Sequence, residues 1–297
     1  MKKINNTTES SNPNSNDIDI RNINEIIQIF HDDNHDILRG IGKVLDEIND
    51  IIKMTINSLT QEGRLFYVGA GTSGRLGVLD AAECKPTFGV EDGLVEGVIA
   101  GGKDALFMSI EGAEDRVDEV KTIIKGYNIS TNDIIVGISC SGTASFVLDF
   151  LKHSKDIGAK TALITFNKID DINYIDKLLS VFVGPEIITG STRMKSGTAT
   201  KMILNMISSI TMIKLNKTYG NYMVDLKVIN KKLVKRGINI IESITGIDSV
   251  SAEALLKKSN GHVKNAIVME ELDISFLESE KLLDKHHGSL RKILDEK

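Results

Sequence analysis

The sequence predicts an α/β protein: a parallel five-stranded sheet sandwiched by helices, followed by a small C-terminal helical module. Three observations carry this. Between residues 65 and 183, short Val/Ile-rich segments alternate with segments whose apolar residues recur at helical spacing. The apolar segments lack polar alternation, as strands buried on both faces of a parallel sheet do. From Ser249 onwards only helical patterns remain, broken at Asn260-Gly261 and Gly288.

Taken in order, residues 1–18 are too poor in apolar side chains to build a core and are expected to be mobile or extended. Helical periodicity follows over Asn24–Phe30 and then over Ile37–Leu59, where Ile37, Leu38, Ile41, Val44, Leu45, Ile48, Ile51 and Ile52 carry the apolar spacing. Strands are expected at Leu65–Val68, Leu94–Ala100, Asp133–Ile138, Thr161–Phe166 and Leu178–Val183. Helices are expected near Ser73–Glu83, Asp104–Ile110, Asp115–Lys125 and Ser145–Ile157, then from about Met194 to Asn216 and Met223 to Ile244. Three or four short amphipathic helices complete the tail. The organisation is therefore an N-terminal polar segment with helices over 1–55, a sheet domain over 56–219 and a helical region over 220–297.

Composition narrows the function classes. The chain has 297 residues and a formal net charge of −5 with mixed signs, so it carries no footprint of a nucleic-acid or membrane-surface binder. No apolar run reaches the roughly 18 residues of a spanning helix. The N-terminus is Asn/Ser-rich and has no apolar signal core. Two cysteines, Cys84 and Cys140, without a C-x-x-C pair, fit a reducing compartment, so a cytoplasmic location is expected. The six histidines show no H-E-x-x-H or comparable spacing, and no metal is expected.

Gly69-Ala-Gly-Thr-Ser-Gly74 spells G-x-G-x-x-G between a strand and a helix. That arrangement makes an anion site, because a helix N-terminus presents unpaired N–H groups and glycine lets the backbone approach a ligand. A dinucleotide reading needs an acidic residue at the end of the second strand. Glu91 and Asp92 have about the right separation but precede that strand. Thr72 and Ser73 add hydroxyls, which suit the three acceptor oxygens of a terminal phosphate. A phosphomonoester is therefore expected at Gly71, Thr72 and Ser73, with no cofactor. Ser139-Cys-Ser-Gly-Thr143 repeats the pattern after the third strand, with Ser139 and Ser141 as candidates. Gly184–Thr198 follows the last strand and clusters Ser191, Thr192, Arg193 and Lys195 before a helix; on chemistry alone a solvated loop explains it equally well. No G-x-S-x-G elbow exists, which leaves carboxylates as candidate acid–base groups: Glu83, Glu111 and Glu114.

Three longer stretches, VGAGTSGRLGVLDAAECKPTFG, IAGG…EGAED and VGPEIITGSTRMKSGTATKMILNMIS, resemble the N-acetylmuramic acid 6-phosphate etherases. The resemblance extends to Asn12-Pro13-Asn14 and to the tail AEALLKKSNGHVKNAIVM, which looks like a ubiquitin-associated-type module. It implies the sugar-isomerase (SIS) phosphosugar-binding fold and a lyase that removes D-lactate from the sugar by β-elimination and water addition. It also implies Glu83 as the acid for lactate departure and base for water, Glu114 as the second acid/base, and Thr72, Ser73, Ser139 and Ser141 as phosphate ligands. A cofactor-free reaction on a small phosphosugar and a homodimer are implied too. The glucokinase regulatory protein shares the fold, so a non-catalytic sugar-phosphate sensor is the competing class. Where etherases usually read Ser-Gly-Arg-Thr-Pro-Tyr, this chain has Ser141-Gly-Thr-Ala-Ser-Phe146.

Overall fold

The computed structural model describes residues 7–226, 228 and 230–296. Five parallel strands form one sheet: β1 (Leu65–Gly69), β2 (Val95–Ile99), β3 (Ile134–Ile138), β4 (Lys160–Thr165) and β5 (Lys177–Ser180), in the order β2-β1-β3-β4-β5. The expected strands are all present, and β1 and β3 are buried at every position. The last strand is shorter than expected, although Val181 still donates its N–H to the Thr165 carbonyl.

Helices α1 (Ile23–Asp33), α2 (His35–Gly42) and α3 (Leu45–Thr60) precede the sheet. The single helix expected over Ile37–Leu59 is broken at Lys43-Val44, where Val44 leaves helical geometry with φ −128° and ψ 24°. Gly40 lies so close to the chain after β5 that a Cβ there would meet the Phe182 carbonyl oxygen at 2.5 Å. Between strands lie α4 (Gly71–Phe88), α5 (Val120–Gly126) and α6 (Ser145–Ile157). Helix α4 runs on past Glu83 and takes in Pro86, so Glu83 lies inside a helix and not at its end.

The helix expected over Asp104–Ile110 is a 3-10 turn, Lys103–Leu106. Its helical hydrogen bonding stops because the carbonyls of Leu106 and Met108 are taken by the Arg75 guanidinium, at 3.2 and 2.8 Å. Asp115–Lys125 likewise reduces to a 3-10 turn, Ala113–Asp115, and the shorter α5. Helix α7 (Lys195–Lys214) follows the sheet.

Residues 1–6 lie outside the described residues, but 7–18 are neither extended nor loose. Thr7–Glu9, Pro13–Ser15 and Ile18–Ile20 form three 3-10 turns and bury Thr8, Asn12 and Ser15. The expectation of a mobile N-terminus is corrected here. It rested on hydrophobic content, whereas this segment is held by hydrogen bonds from polar side chains.

The chain divides into two compact units, Met1–Ala82 with Gly93–Ser208, and Glu83–Asp92 with Ser209–Lys297. In the second unit, α8 (Lys231–Thr245), α9 (Ser249–Lys258), α10 (Val263–Leu272), α11 (Phe276–Lys285) and α12 (Leu290–Asp295) surround their own core of Leu233, Ile240, Ile241, Leu256, Ala266 and Ile267. Helix α8 starts eight residues later than the expected Met223, because Asn230 caps it by accepting the Leu233 N–H at 2.9 Å.

Candidate functional site

In the order 2-1-3-4-5 the connections leave β1 and β3 in opposite directions, which opens a crevice at the carboxyl ends of those two strands. The first two hydroxyl-rich loops start there, one after Gly69 and one after Ile138. Gly71 opens α4 with φ +52°, a value that favours glycine. Gly74 lets α4 lie against the sheet: a Cβ there would meet an Ile99 side-chain carbon at 2.6 Å and the Gly69 carbonyl oxygen at 2.7 Å. The glycine spacing of the motif is thus required by the turn itself.

The three loops meet around the Cys140 thiol. The Ser73 hydroxyl lies 3.6 Å from Cys140 Sγ, and the Thr192 hydroxyl also hydrogen-bonds that sulfur. Burial pushes the thiol above its ordinary pKa, opposed by the two hydroxyl contacts. A Cβ on Gly197, in the first turn of α7, would lie 3.6 Å from the Thr72 methyl, so the third loop and α7 close on the first loop. The structure therefore brings Thr72, Ser73, Cys140 and Thr192 together, with Ser191 next in the chain.

Ser139 and Ser141 differ in what they do. Ser139 is buried, and its Oγ accepts the N–H groups of Gly142 and Ala144, both at 3.2 Å. It therefore shapes the second loop from within. Ser141 is half-buried, with its hydroxyl 2.8 Å from that of Thr143 and accepting the Thr143 N–H at 3.2 Å. The departure at 143–146 is accommodated locally. Phe146 is buried beside Phe150 with ring centroids 6.1 Å apart.

Glu186 carries no signal in the sequence beyond its place before a helix. Fully buried, it accepts the Lys195 N–H at 2.8 Å, the Ser196 N–H at 3.0 Å and the Ser196 hydroxyl at 2.7 Å, so a carboxylate caps the N-terminus of α7. Lys195, named from sequence as part of a hydroxyl-and-cation cluster, turns inward to Asp33 at 2.9 Å with both side chains buried. Arg193 stays exposed. The third loop is a built element and not a solvated connection.

Glu83 and Glu114 are both exposed and, among the described residues, have no hydrogen-bond or ion-pair partner. Glu114 sits in the 3-10 turn after Gly112, whose φ of +68° is left-handed, and belongs to the first unit. Glu83 belongs to the second. Glu111 is also exposed. Glu91 and Asp92 precede β2, and the carboxyl end of β2 is Ala100-Gly101-Gly102. One group of possible metal ligands exists among the described residues: His31, Asp32 and His35, all exposed, with ligand atoms within 4.8 Å of one another. His31 and His35 stand at i, i+4, the histidine spacing of H-E-x-x-H, so the expectation that no histidine pair has ligand spacing is corrected here.

Comparison with known proteins decides the family. Over 290 residues the chain is 42% identical to the N-acetylmuramic acid 6-phosphate etherase of Salinibacter ruber, covering 97% of this chain and 93% of that one. The chain belongs to the N-acetylmuramic acid 6-phosphate etherase family. An etherase of Bacillus licheniformis is 44% identical over 289 residues, covering 97% and 95% of the two chains. That of Clostridium beijerinckii is 44% identical over 293 residues, covering 98% and 96%. The N-terminal SIS domain of the glucokinase regulatory protein matches residues 47–155, and that protein's C-terminal lid domain matches residues 220–277. The etherase family thus shares its domain types with a regulator, while its members match this chain from end to end. No helix among the described residues is long and apolar enough to cross a membrane.

Proposed function

We propose that this chain cleaves the D-lactyl ether of N-acetylmuramic acid 6-phosphate, giving N-acetylglucosamine 6-phosphate and D-lactate. The observation that carries the reading is the full-length match to etherases at 42–44% identity. The crevice at the β1/β3 switch point, with Thr72, Ser73, Ser141, Ser191 and Thr192 around two helix N-termini, supports a phosphate as the anchoring group. Nothing specific favours the sensor reading, since the regulator is matched by domains and the etherases by the whole chain.

The chemistry follows from the substrate. In the open-chain sugar the C2 proton is acidified by the C1 aldehyde, and the lactyl ether oxygen sits on C3. A base takes the C2 proton, the C3–O bond breaks with its electron pair leaving on the lactate oxygen, and an acid protonates that oxygen. Water then adds to C3 of the unsaturated aldehyde and a proton returns to C2. Each transfer is worth roughly 10²–10⁴-fold when a positioned carboxyl performs it. By the family resemblance Glu83 protonates lactate and later activates the water, and Glu114 serves C2.

Both carboxylates face solvent in the single chain. The homodimer is the assembly that the family resemblance implies. A chain with only two cysteines and no C-x-x-C spacing supports a cytoplasmic location. Release of D-lactate from N-acetylmuramic acid 6-phosphate, coupled to a D-lactate dehydrogenase, tests the activity. Tight binding of the phosphosugar with no lactate released would instead favour the sensor.

A further inference from the structure

The N-terminal segment is tied to two of the three loops by separate sets of hydrogen bonds. On one side it meets Asn167, a fully buried amide just after β4. The Thr8 N–H donates to Asn167 Oδ1 at 3.2 Å, and Asn167 Nδ2 donates to the Thr8 hydroxyl at 3.0 Å and to the Ser141 carbonyl at 3.3 Å. The neighbouring Cys140 carbonyl accepts from the Thr165 hydroxyl at 3.2 Å and from the Phe166 N–H at 3.0 Å. The backbone of the second loop is therefore held from behind by residues 165–167, and Asn167 is oriented in turn by Thr8.

On the other side the same segment grips the third loop. Asn12 Nδ2 donates to the Pro185 carbonyl at 3.1 Å and to Asp33 Oδ1 at 3.0 Å, and Asp33 also holds Lys195, the first residue of α7. The Ser15 hydroxyl donates to the Ile187 carbonyl at 2.7 Å. A Cβ on Gly190 would lie 3.2 Å from Glu9 Oε2. Segment Thr7–Ser15 thus spans two loops that also meet each other at Cys140 and Thr192.

We propose that Thr7–Ser15 is a strap that sets the spacing of the second and third loops for the phosphosugar, and that Thr8 and Asn167 are positioning residues for that ligand. This rests on the phosphosugar reading of the crevice. The apolar content of the segment is too low for it to be retained for core burial, and its three buried side chains, Thr8, Asn12 and Ser15, all engage loop or loop-holding groups. Ordering such a segment costs backbone entropy, and the polar contacts that offset it are spent on the loops.

The test uses the full chain and, as probe, the product N-acetylglucosamine 6-phosphate, which carries no lactyl group to release. Thr8→Val keeps the shape and removes the hydroxyl acceptor of Asn167; Thr8→Ser keeps the hydroxyl. Loss of one buried hydrogen bond corresponds to roughly a fivefold to tenfold change in an equilibrium. Thr8→Val should therefore raise the probe's dissociation constant and the KM for N-acetylmuramic acid 6-phosphate by about that factor, with kcat within about twofold of wild type, and Thr8→Ser should restore both. Ser15→Ala, which releases the third loop at Ile187, should weaken probe binding in the same direction and carries the test if Thr8→Val fails to fold. A lower melting temperature with unchanged affinity in these variants would mean a merely structural strap and overturns the proposal. A wild-type protein that binds the probe without releasing lactate sinks the etherase reading and leaves the strap to be judged on binding. One that binds no phosphosugar overturns both.

Discussion

Glu186→Gln should destabilise the sheet-bearing unit far more than an isosteric change at a loop residue ordinarily does. The glutamate is fully buried and its two oxygens accept from three donors, the Lys195 N–H, the Ser196 N–H and the Ser196 hydroxyl. A glutamine keeps one acceptor oxygen, so its NH2 group must face one of the two backbone N–H groups, donor against donor. A hydrogen bond to a charged group, worth about 1.5–3 kcal/mol, is lost. The favourable charge at a helix N-terminus, worth up to about 2 kcal/mol in a partly buried setting, goes with it. Relief of the cost of burying a carboxylate works the other way. A net loss of about 3 kcal/mol follows, and at about 2–4 °C per kcal/mol for a unit of this size the melting midpoint falls by about 6–12 °C. Calorimetry gives the midpoint, and hydrogen exchange at the Lys195 and Ser196 amides localises the change. A loss below about 1 kcal/mol, with those amides as protected as in wild type, would refute the capping role.

Three further outcomes follow from the site. Glu83→Gln should lower turnover at least about 100-fold while phosphosugar protection against thermal unfolding persists, because an amide can neither protonate lactate nor activate water; turnover within about tenfold of wild type would remove Glu83 from the chemistry. In heavy water, Glu83→Gln should still exchange the C2 proton without releasing lactate and Glu114→Gln should lose exchange; the opposite pattern, read by NMR, would swap their roles. The Cys140 thiol, pushed up by burial, forms its thiolate only above the pH range of an ordinary cysteine. Its alkylation by iodoacetamide should therefore rise with a midpoint above that of free cysteine and be slowed by N-acetylglucosamine 6-phosphate; a midpoint at or below the free value would contradict the buried setting between Ser73 and Thr192.

The strands and the first two loops were legible because their signals are local. Gly71 and Gly74 announce a strand-to-helix turn, and continuous apolar runs such as Ile134–Ile138 announce a buried strand. What stayed hidden depends on partners distant in sequence. The 3-10 turn at Lys103–Leu106 stands where helical periodicity predicts a helix, because Arg75, about thirty residues upstream, takes the carbonyls of Leu106 and, just beyond the turn, Met108. The start of α8 was misplaced because apolar periodicity ran back past a polar cap at Asn230. Thr8, Asn12 and Ser15 lie in a segment whose composition predicts a mobile or extended chain, since polar side chains reveal burial only once their hydrogen-bond partners, more than 150 residues away for Thr8, are in place. Glu186 stayed hidden although its partners, Lys195 and Ser196, are near in sequence, because a glutamate ahead of a helix carries no local mark of burial. The roles of Glu83 and Glu114 came from family motifs alone, as an exposed glutamate carries no local mark of catalysis.

The account's central claim is that the ether is broken by elimination across C2 and C3, followed by addition of water to C3. Turnover of N-acetylmuramic acid 6-phosphate in ¹⁸O-labelled heavy water, with both products analysed by mass spectrometry and NMR, tests it most directly. The account predicts ¹⁸O in the C3 hydroxyl of N-acetylglucosamine 6-phosphate, deuterium at C2 of the same product, and no ¹⁸O in the D-lactate hydroxyl. Label in the lactate hydroxyl with an unexchanged C2 would mean attack on the lactyl carbon and would contradict it.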